Sequence, residues 1–339
     1  MRYRKLFEEL PPLSAAALGT DYYGKTIPEP EARALLDAYL EAGGNVIDTA
    51  HVYSDYLPGA KHMSEKVIGR WLWDNGARER VVLCTKGGFP VVGDMHASRI
   101  DRDNIRADMY ESLGCLGVDN VDIYWLHRDD PNVPVSEIAG WMDELYREGV
   151  FRYWGVSNWN SRRIGELRTY CADNGLTPPA CSQIKWSFAV PNPGSAGDDT
   201  LQEMDRTEHA WYLKNPMPVF AYSSQAKGFF SKLGAARAAD GGKTRVIDGI
   251  ADPGGKAGKR YFSARNVARY RTLEALSAET GFDPGQLAIW WMTRPGTIPA
   301  VPVVGPRNID QLRDTLAGVN AEIDPETLKK YVLFRRDRL

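Results

Sequence analysis

Asn45-Val-Ile-Asp48, Val81-Val-Leu-Cys-Thr85-Lys86 and Val121-Asp-Ile-Tyr-Trp-Leu126-His127 are three short, mostly apolar runs that each end on an ionisable side chain. Short apolar runs of this kind read as β-strands covered on both faces, the pattern of a parallel sheet. Comparable runs lie at 14–19, 153–157, 180–185, 218–222 and 299–304, which brings the count to eight. Between them are amphipathic stretches such as Glu31-Ala-Arg-Ala-Leu-Leu-Asp-Ala-Tyr-Leu40, whose apolar residues fall three and four apart. Asp101 is placed to cap a helix running to Leu113, Ser64 with Glu65 to open another, and Gly114, Gly149 and Gly175 to end helices.

Eight alternating βα units predict an α/β fold, a (β/α)8 TIM barrel, as a single domain over 1–339 with extended loops at its carboxyl-terminal face. A doubly wound sheet is the alternative. It usually carries GxGxxG after its first strand, where this chain has Leu18-Gly-Thr-Asp-Tyr-Tyr-Gly24. Segments 191–200 and 235–259, rich in Gly, Pro and Asp, read as loops or flaps. The second fails as a phosphate loop, because Gly254 is followed by Gly255 rather than Lys and no Ser or Thr follows Lys256.

With 42 basic and 44 acidic residues, the formal charge of −2 offers no long-range field for nucleic acid or anionic lipid. The basic amino terminus runs into Glu-Glu-Leu-Pro-Pro without an apolar stretch, so the expectation is a cytoplasmic protein with neither secretory signal nor membrane span. Cys84, Cys115, Cys171 and Cys181 are scattered and read as reduced thiols, two in strands and two in helices. The five histidines form no HxH or HExxH pair, so no metal is expected and a metallohydrolase barrel is disfavoured.

Side chains delivered by successive strand ends converge on one mouth of a parallel barrel. Asp48, Tyr53, Lys86 and His127 are so placed. A Tyr five residues beyond a strand-end Asp, facing a Lys from the next strand, would have its phenol pKa lowered by the ammonium, making it a better proton donor near neutrality. Asp48 would hold Lys86, and His127 would hydrogen-bond a substrate oxygen. Singly, the four also read as a cap, a surface charge, a satisfied histidine and loop packing; their joint placement favours chemistry.

Asp48-Thr-Ala-His-Val-Tyr53, Thr85-Lys86-Gly-Gly, Ile123-Tyr-Trp-Leu-His127-Arg, Gly155-Val-Ser-Asn158-Trp and Ala221-Tyr222-Ser-Ser resemble the ordered motif series of the aldo-keto reductases. The likeness runs from Leu18-Gly-Thr to Gly305-Pro-Arg-Asn-Ile-Asp-Gln-Leu312. It implies a barrel reductase that binds NADPH, with NADH possible, without a Rossmann domain, and that acts on a small-molecule carbonyl compound. It makes Tyr53 the general acid, tuned by Lys86 and Asp48, with His127 orienting the carbonyl. Ser157, Asn158 and Gln183 would contact the carboxamide, Tyr222 would stack on the nicotinamide, and Gly19 and Thr20 would lie beside the cofactor. Ser223, Ser224 and Gln225 would follow the pyrophosphate, with Gly305, Arg307 and Gln311 at the adenosine end.

The chain departs from many relatives where Tyr222 is followed by Ser-Ser-Gln-Ala-Lys rather than Ser-Pro-Leu, where Trp186 replaces a Tyr, and in the long segment 54–63. Of ten tryptophans, Trp125, Trp159 and Trp186 lie at or near strand ends and read either as core packing or as a flat wall for substrate. Tyr22, Trp125, Arg128 and Trp186 are the candidate substrate contacts, and Arg128-Asp129-Asp130 reads either as a reader of hydroxyls or as a solvated loop. A sugar or sugar derivative is the expected substrate class. The alternative is a nicotinamide-binding regulatory subunit like the potassium-channel β-subunits, which resemble the same family.

Overall fold

The computed structural model describes residues 1–331 apart from 60, 196, 236–244 and 297. Eight parallel strands close into a barrel in sequence order: β1 (Ala17–Gly19), β2 (Val46–Asp48), β3 (Val82–Gly87), β4 (Val121–Leu126), β5 (Phe151–Ser157), β6 (Cys181–Lys185), β7 (Val219–Tyr222) and β8 (Ala300–Val304). Closure is made by β8, which pairs with β1 through Val303 and Ala17 and with β7 through Val301 and Phe220. Outside lie α1 (Glu29–Glu41), α2 (Met63–Asn75), α3 (Arg102–Leu116), α4 (Val135–Arg147), α5 (Ser161–Asn174), α6 (Arg206–Lys214), α7 (Phe229–Ala235), α8 (Gly255–Tyr261), α9 (Ala264–Thr280), α10 (Pro284–Thr293), α11 (Ile309–Asn320) and α12 (Pro325–Lys329).

Alternate strand residues point to opposite faces, so each strand divides between two cores. Ala17, Val46, Val82, Cys84, Ile123, Trp125, Cys181, Phe220 and Val301 fill the barrel interior, while Leu18, Ile47, Leu83, Tyr124, Leu126 and Val156 pack outward against the helices. The Trp125 ring lies where a Cβ on Gly155 would sit, 2.6 Å from the ring, and meets Phe220 edge-on at 5.0 Å. The next inward position on β2 is Asp48, that on β3 is Lys86, and the residue following β4 is His127. Apolar side chains therefore fill the lower barrel and polar ones its carboxyl-terminal mouth.

The run at 14–19 divides in two. Leu13–Ser14 pairs antiparallel with Tyr3–Arg4, and barrel strand β1 starts only at Ala17. The hairpin carries Phe7, Leu10 and Leu13 into the interior cluster, where Phe7 contacts Tyr153 at 4.9 Å between ring centroids. It thereby closes the amino-terminal end of the barrel.

Asp101 caps α3 as expected, accepting from the Asn104 amide, but α3 runs through Gly114 to a left-handed Gly117. The helix expected to open at Ser64 and Glu65 opens one residue earlier as α2, after His62, and the Ser64 hydroxyl does not cap it but bonds Thr20 and Thr49. In segment 235–259, residues 236–244 lie outside the described residues. The remainder is not a loop: Val246–Ile247 pairs with Ile250–Ala251 as a hairpin, and Gly255 opens α8.

Glu65, on the inner face of α2, is fully buried and accepts a hydrogen bond from the Thr85 hydroxyl at 2.6 Å. Burial pushes its carboxyl up to about 7 from the usual 4.5. The folded state thus holds this proton more tightly than the unfolded chain, so the stability it contributes is present below 4.5 and is lost as pH rises through about 7. Glu65→Gln should flatten the fall in urea midpoint across that window, a change on the order of 1–3 kcal/mol. An unaltered pH slope in the variant would show that this carboxyl ionises as readily folded as unfolded.

Candidate active site

The mouth is organised around the Lys86 ammonium, which is entirely buried and spends its three donors on Asp48 Oδ2 (2.7 Å), the Thr49 carbonyl (2.6 Å) and the Tyr53 hydroxyl (3.0 Å). Asp48 Oδ1 accepts from Gln183 Nε2 at 3.0 Å, and the Asp48 carbonyl accepts from Thr20 Oγ1 at 3.1 Å. Tyr53 comes from the loop after β2, pinned by the His51 amide on the Lys86 carbonyl at 3.0 Å and by Ser54, left-handed at φ 72°, whose hydroxyl donates to the Tyr23 carbonyl. Because the Tyr53 oxygen receives Lys86, its own proton is free to point into the mouth.

The expected lowering of the Tyr53 phenol is not what the surroundings produce. Burial, then the Asp48 and Asp21 carboxylates, hold it well above its usual value. Burial outweighs the opposing charge of Arg128, so Tyr53 rests as a protonated donor. His127 lies edge-on to Tyr53 with ring centroids 5.9 Å apart, and 4.8 Å from Phe89. Burial, then the Arg128 and Lys86 charges, keep its imidazole neutral, and its buried Nδ1 has no hydrogen-bond partner among the described residues.

Across the mouth, Asn158 adopts a left-handed φ of 63°. Its Nδ2 donates to the His127 carbonyl (3.2 Å) and to Ser157 Oγ (3.1 Å), and its Oδ1 accepts from the Tyr222 hydroxyl (2.6 Å). Ser223 (φ 52°), Ala226 (φ 50°) and Lys227 (φ 58°) turn the chain tightly after β7. Ser224 Oγ bonds the Val303 carbonyl at 2.8 Å and Gln225 reaches Thr315 on α11 at 3.0 Å. At the start of α11, Asn308 caps the Gln311 amide and Gln311 Oε1 accepts from the Arg307 amide at 2.9 Å. The Arg307 guanidinium lies 5.1 Å from the centre of the Tyr22 ring, and Gly305 has open space where a side chain would be. Gly19 is fixed by packing, with Val303 Cγ1 2.8 Å from where its Cβ would sit.

This side of the mouth is cationic. Burial, then Lys256, Arg260, Lys232 and Arg307, lower the Lys227 pKa. Clustered cations beside the tight turn after β7 and the amino end of α11 suit a phosphate-bearing ligand, so the residues present fit a dinucleotide.

Two of the candidate substrate contacts need correction. Trp125 is fully buried in the barrel interior below His127 and cannot form a wall of the mouth. Trp186 points outward, packing edge-on against Trp291 (5.8 Å) and His209 (6.1 Å) between barrel and helices. Trp159 is likewise core. Asp129 does not face the mouth either, because Arg163 takes it at 2.8 Å. Arg128 does reach the site: its Nη1 donates to the His127 carbonyl (3.1 Å), its Nε to Thr200 Oγ1 (3.2 Å), and it stacks on Phe89 (5.0 Å). Sequence reasoning missed Phe89, three residues beyond Lys86, and the Tyr56–Asp21 hydrogen bond (2.8 Å) at the rim.

The Aldo/keto reductase family profile matches residues 15–332. The aldo-keto reductase str7 of Strobilurus tenacellus is 26% identical over 322 residues, covering 93% of this chain and 84% of that protein. No helix among the described residues is long and apolar enough to cross a membrane. With the closed eight-stranded barrel and the cluster at its mouth, the match over nearly its whole length shows that the chain belongs to the aldo/keto reductase family of NAD(P)H-dependent carbonyl oxidoreductases.

Proposed function

We propose that the chain is a carbonyl reductase in which Tyr53 protonates the carbonyl oxygen, NADPH is the preferred cofactor, and a hydroxylated carbonyl compound such as a sugar derivative is the substrate. The observation that carries the reading is the Lys86 ammonium with all three donors engaged, one of them on Tyr53. The bound cofactor supplies the hydride. Tyr53 delivers its proton to the oxygen, and the adjacent ammonium stabilises the phenolate left behind. Neutral His127 and the Arg128 guanidinium orient the oxygen from the other side. Ser157, Asn158, Gln183 and Tyr222 would hold the nicotinamide end, and the cations around Lys227 with Arg307 the phosphates.

Tyr53→Phe should reduce kcat by about 10²–10⁴-fold while leaving the Kd for NADPH, read by protein fluorescence, nearly unchanged. A variant within a few-fold of wild-type kcat would remove Tyr53 from this role. Lys86→Met should act in the same direction, and the double variant should fall well short of the product of the two losses, since the pair works as a unit.

The preference for NADPH rests on Arg307, an exposed guanidinium beside the α11 amino terminus that can grip a 2′-phosphate. Arg307→Ala should raise KM for NADPH by about tenfold or more, the order of one lost charge-assisted contact, and scarcely alter KM for NADH. Equal effects on both cofactors would show that Arg307 does not read the phosphate.

The substrate class is supported by a polar rim: Arg128 with Asp198 and Thr200 on one side, Tyr56 with Asp21 on the other. Polyhydroxy aldehydes should show higher kcat/KM than apolar aldehydes of equal size, and Arg128→Ala should narrow the gap. A consistent preference for the apolar set would reject this class and leave the reductase chemistry standing.

A further inference from the structure

His51, His62 and Glu111 meet outside the reductase network, on the flank of the loop that carries Tyr53. His51 lies in that loop just past β2, His62 immediately precedes α2, and Glu111 lies on α3. One ligand atom from each falls within 4.8 Å of the others. Glu111 Oε2 is 2.7 Å from His51 Nε2 and 3.9 Å from His62 Nε2, and the two imidazoles lie tilted by 33° with centroids 4.1 Å apart. In a tetrahedral zinc shell, with bonds of about 2.0–2.2 Å, neighbouring ligand atoms stand roughly 3.4 Å apart. The observed spacings bracket that separation.

The surroundings orient the two rings toward Glu111, to which His51 Nε2 is hydrogen-bonded at 2.7 Å. His62 Nδ1 lies 2.8 Å from the His51 carbonyl and 3.3 Å from Asp55 Oδ2, so Nδ1 faces these oxygens and Nε2 is the ring atom turned toward Glu111. His51 Nδ1 faces the buried Asp108 carboxylate at 3.7 Å, itself fixed by Arg99 and by the Gly88 amide. A carbonyl hydrogen-bonded behind an imidazole, as at His62, is the arrangement that orients histidines on metals, and Asp108 lies just beyond that reach from His51. His62 is held for this by a left-handed backbone (φ 57°) and by its amide on Asp55 Oδ1 at 2.6 Å.

We propose that His51, His62 and Glu111 bind one first-row divalent transition ion, with Zn²⁺ fitting the set best and water completing the shell. Two imidazoles and one carboxylate discriminate against Mg²⁺ and Ca²⁺, which require mostly oxygen donors. The ion ties both ends of the loop bearing Tyr53 to α3. The proposal stands on geometry alone and does not depend on the reductase reading.

The test is calorimetric titration of ZnCl₂ into tag-free protein stripped with a chelator and returned to chelator-free buffer. One ion per chain should bind, and Glu111→Gln and His62→Ala should each weaken binding by about tenfold or more. MgCl₂ should give no saturable heat, and Cys115→Ser should bind Zn²⁺ as wild type does. Melting in excess chelator checks that the variants are folded; should His62→Ala fail it, exposed Glu111→Gln decides alone. Affinity within about twofold of wild type in folded Glu111→Gln, absence of saturable binding, or loss of binding in Cys115→Ser would each overturn the proposal.

Discussion

A lysine ammonium with no contact with water organises the mouth of this barrel. Taking such a charge out of water costs several kcal/mol unless its donors are matched, and removing one partner of a buried pair leaves the other uncompensated. Lys86 has three protons and three acceptors: a carboxylate from β2, the carbonyl next to it, and a phenol from the following loop. Each acceptor is constrained in turn. Asp48 must end β2 in register with Cys84 on β3, Gln183 must cross from β6 to satisfy the second carboxylate oxygen, and the loop after Asp48 must double back to bring Tyr53 within reach. Desolvation of Lys86 thus fixes the Tyr53 hydroxyl through the hydrogen bond that it receives from the ammonium.

That arrangement is possible because the lower barrel is filled without polar groups. Trp125 fills much of the centre, and it fits because Gly155 yields it the space a side chain would take. Phe220 closes against its edge, and the amino-terminal hairpin brings Phe7 and Leu10 up from below. A low-dielectric floor strengthens the ion pair above it and keeps His127 neutral. The same burial raises the Tyr53 phenol, so the floor that strengthens the pair also keeps the phenolic proton in place at rest.

The parts of this architecture written locally were legible in the chain. Strand ends at Asp48, Lys86 and His127 stand out because apolar alternation stops there, and side chains at successive strand ends of a parallel barrel have one mouth to converge on. Features set by distant partners were not legible. Ser64 has the residue type of a helix cap, yet its hydroxyl is claimed by Thr20 and Thr49 across the fold. Trp125 and Trp186 sit at strand ends like the functional residues, and only the inward or outward sense of each position, with the size of the neighbour, sends one to the floor and the other to the helix layer. Segment 235–259 reads as a loop by composition, whereas the part after residue 244 folds into a hairpin and a helix. His51 and Glu111, sixty residues apart, carry no shared motif and meet only because α3 packs beside the loop after β2.

Charge behaves the same way. A formal charge of −2 spread over 339 residues predicts a nearly neutral surface. The mouth is different. Arg128 from the end of β4, Lys227 from the turn after β7, Lys256 and Arg260 from α8 and Arg307 from the turn after β8 are scattered through the chain, and the closure of the barrel gathers them on one rim. Burial, and then the repulsion of Lys256, Arg260, Lys232 and Arg307, lowers the Lys227 pKa, and the low-dielectric wall beside them focuses the field they make. A compact anion entering the mouth relieves that repulsion. The near-neutral total and the positive mouth are therefore compatible.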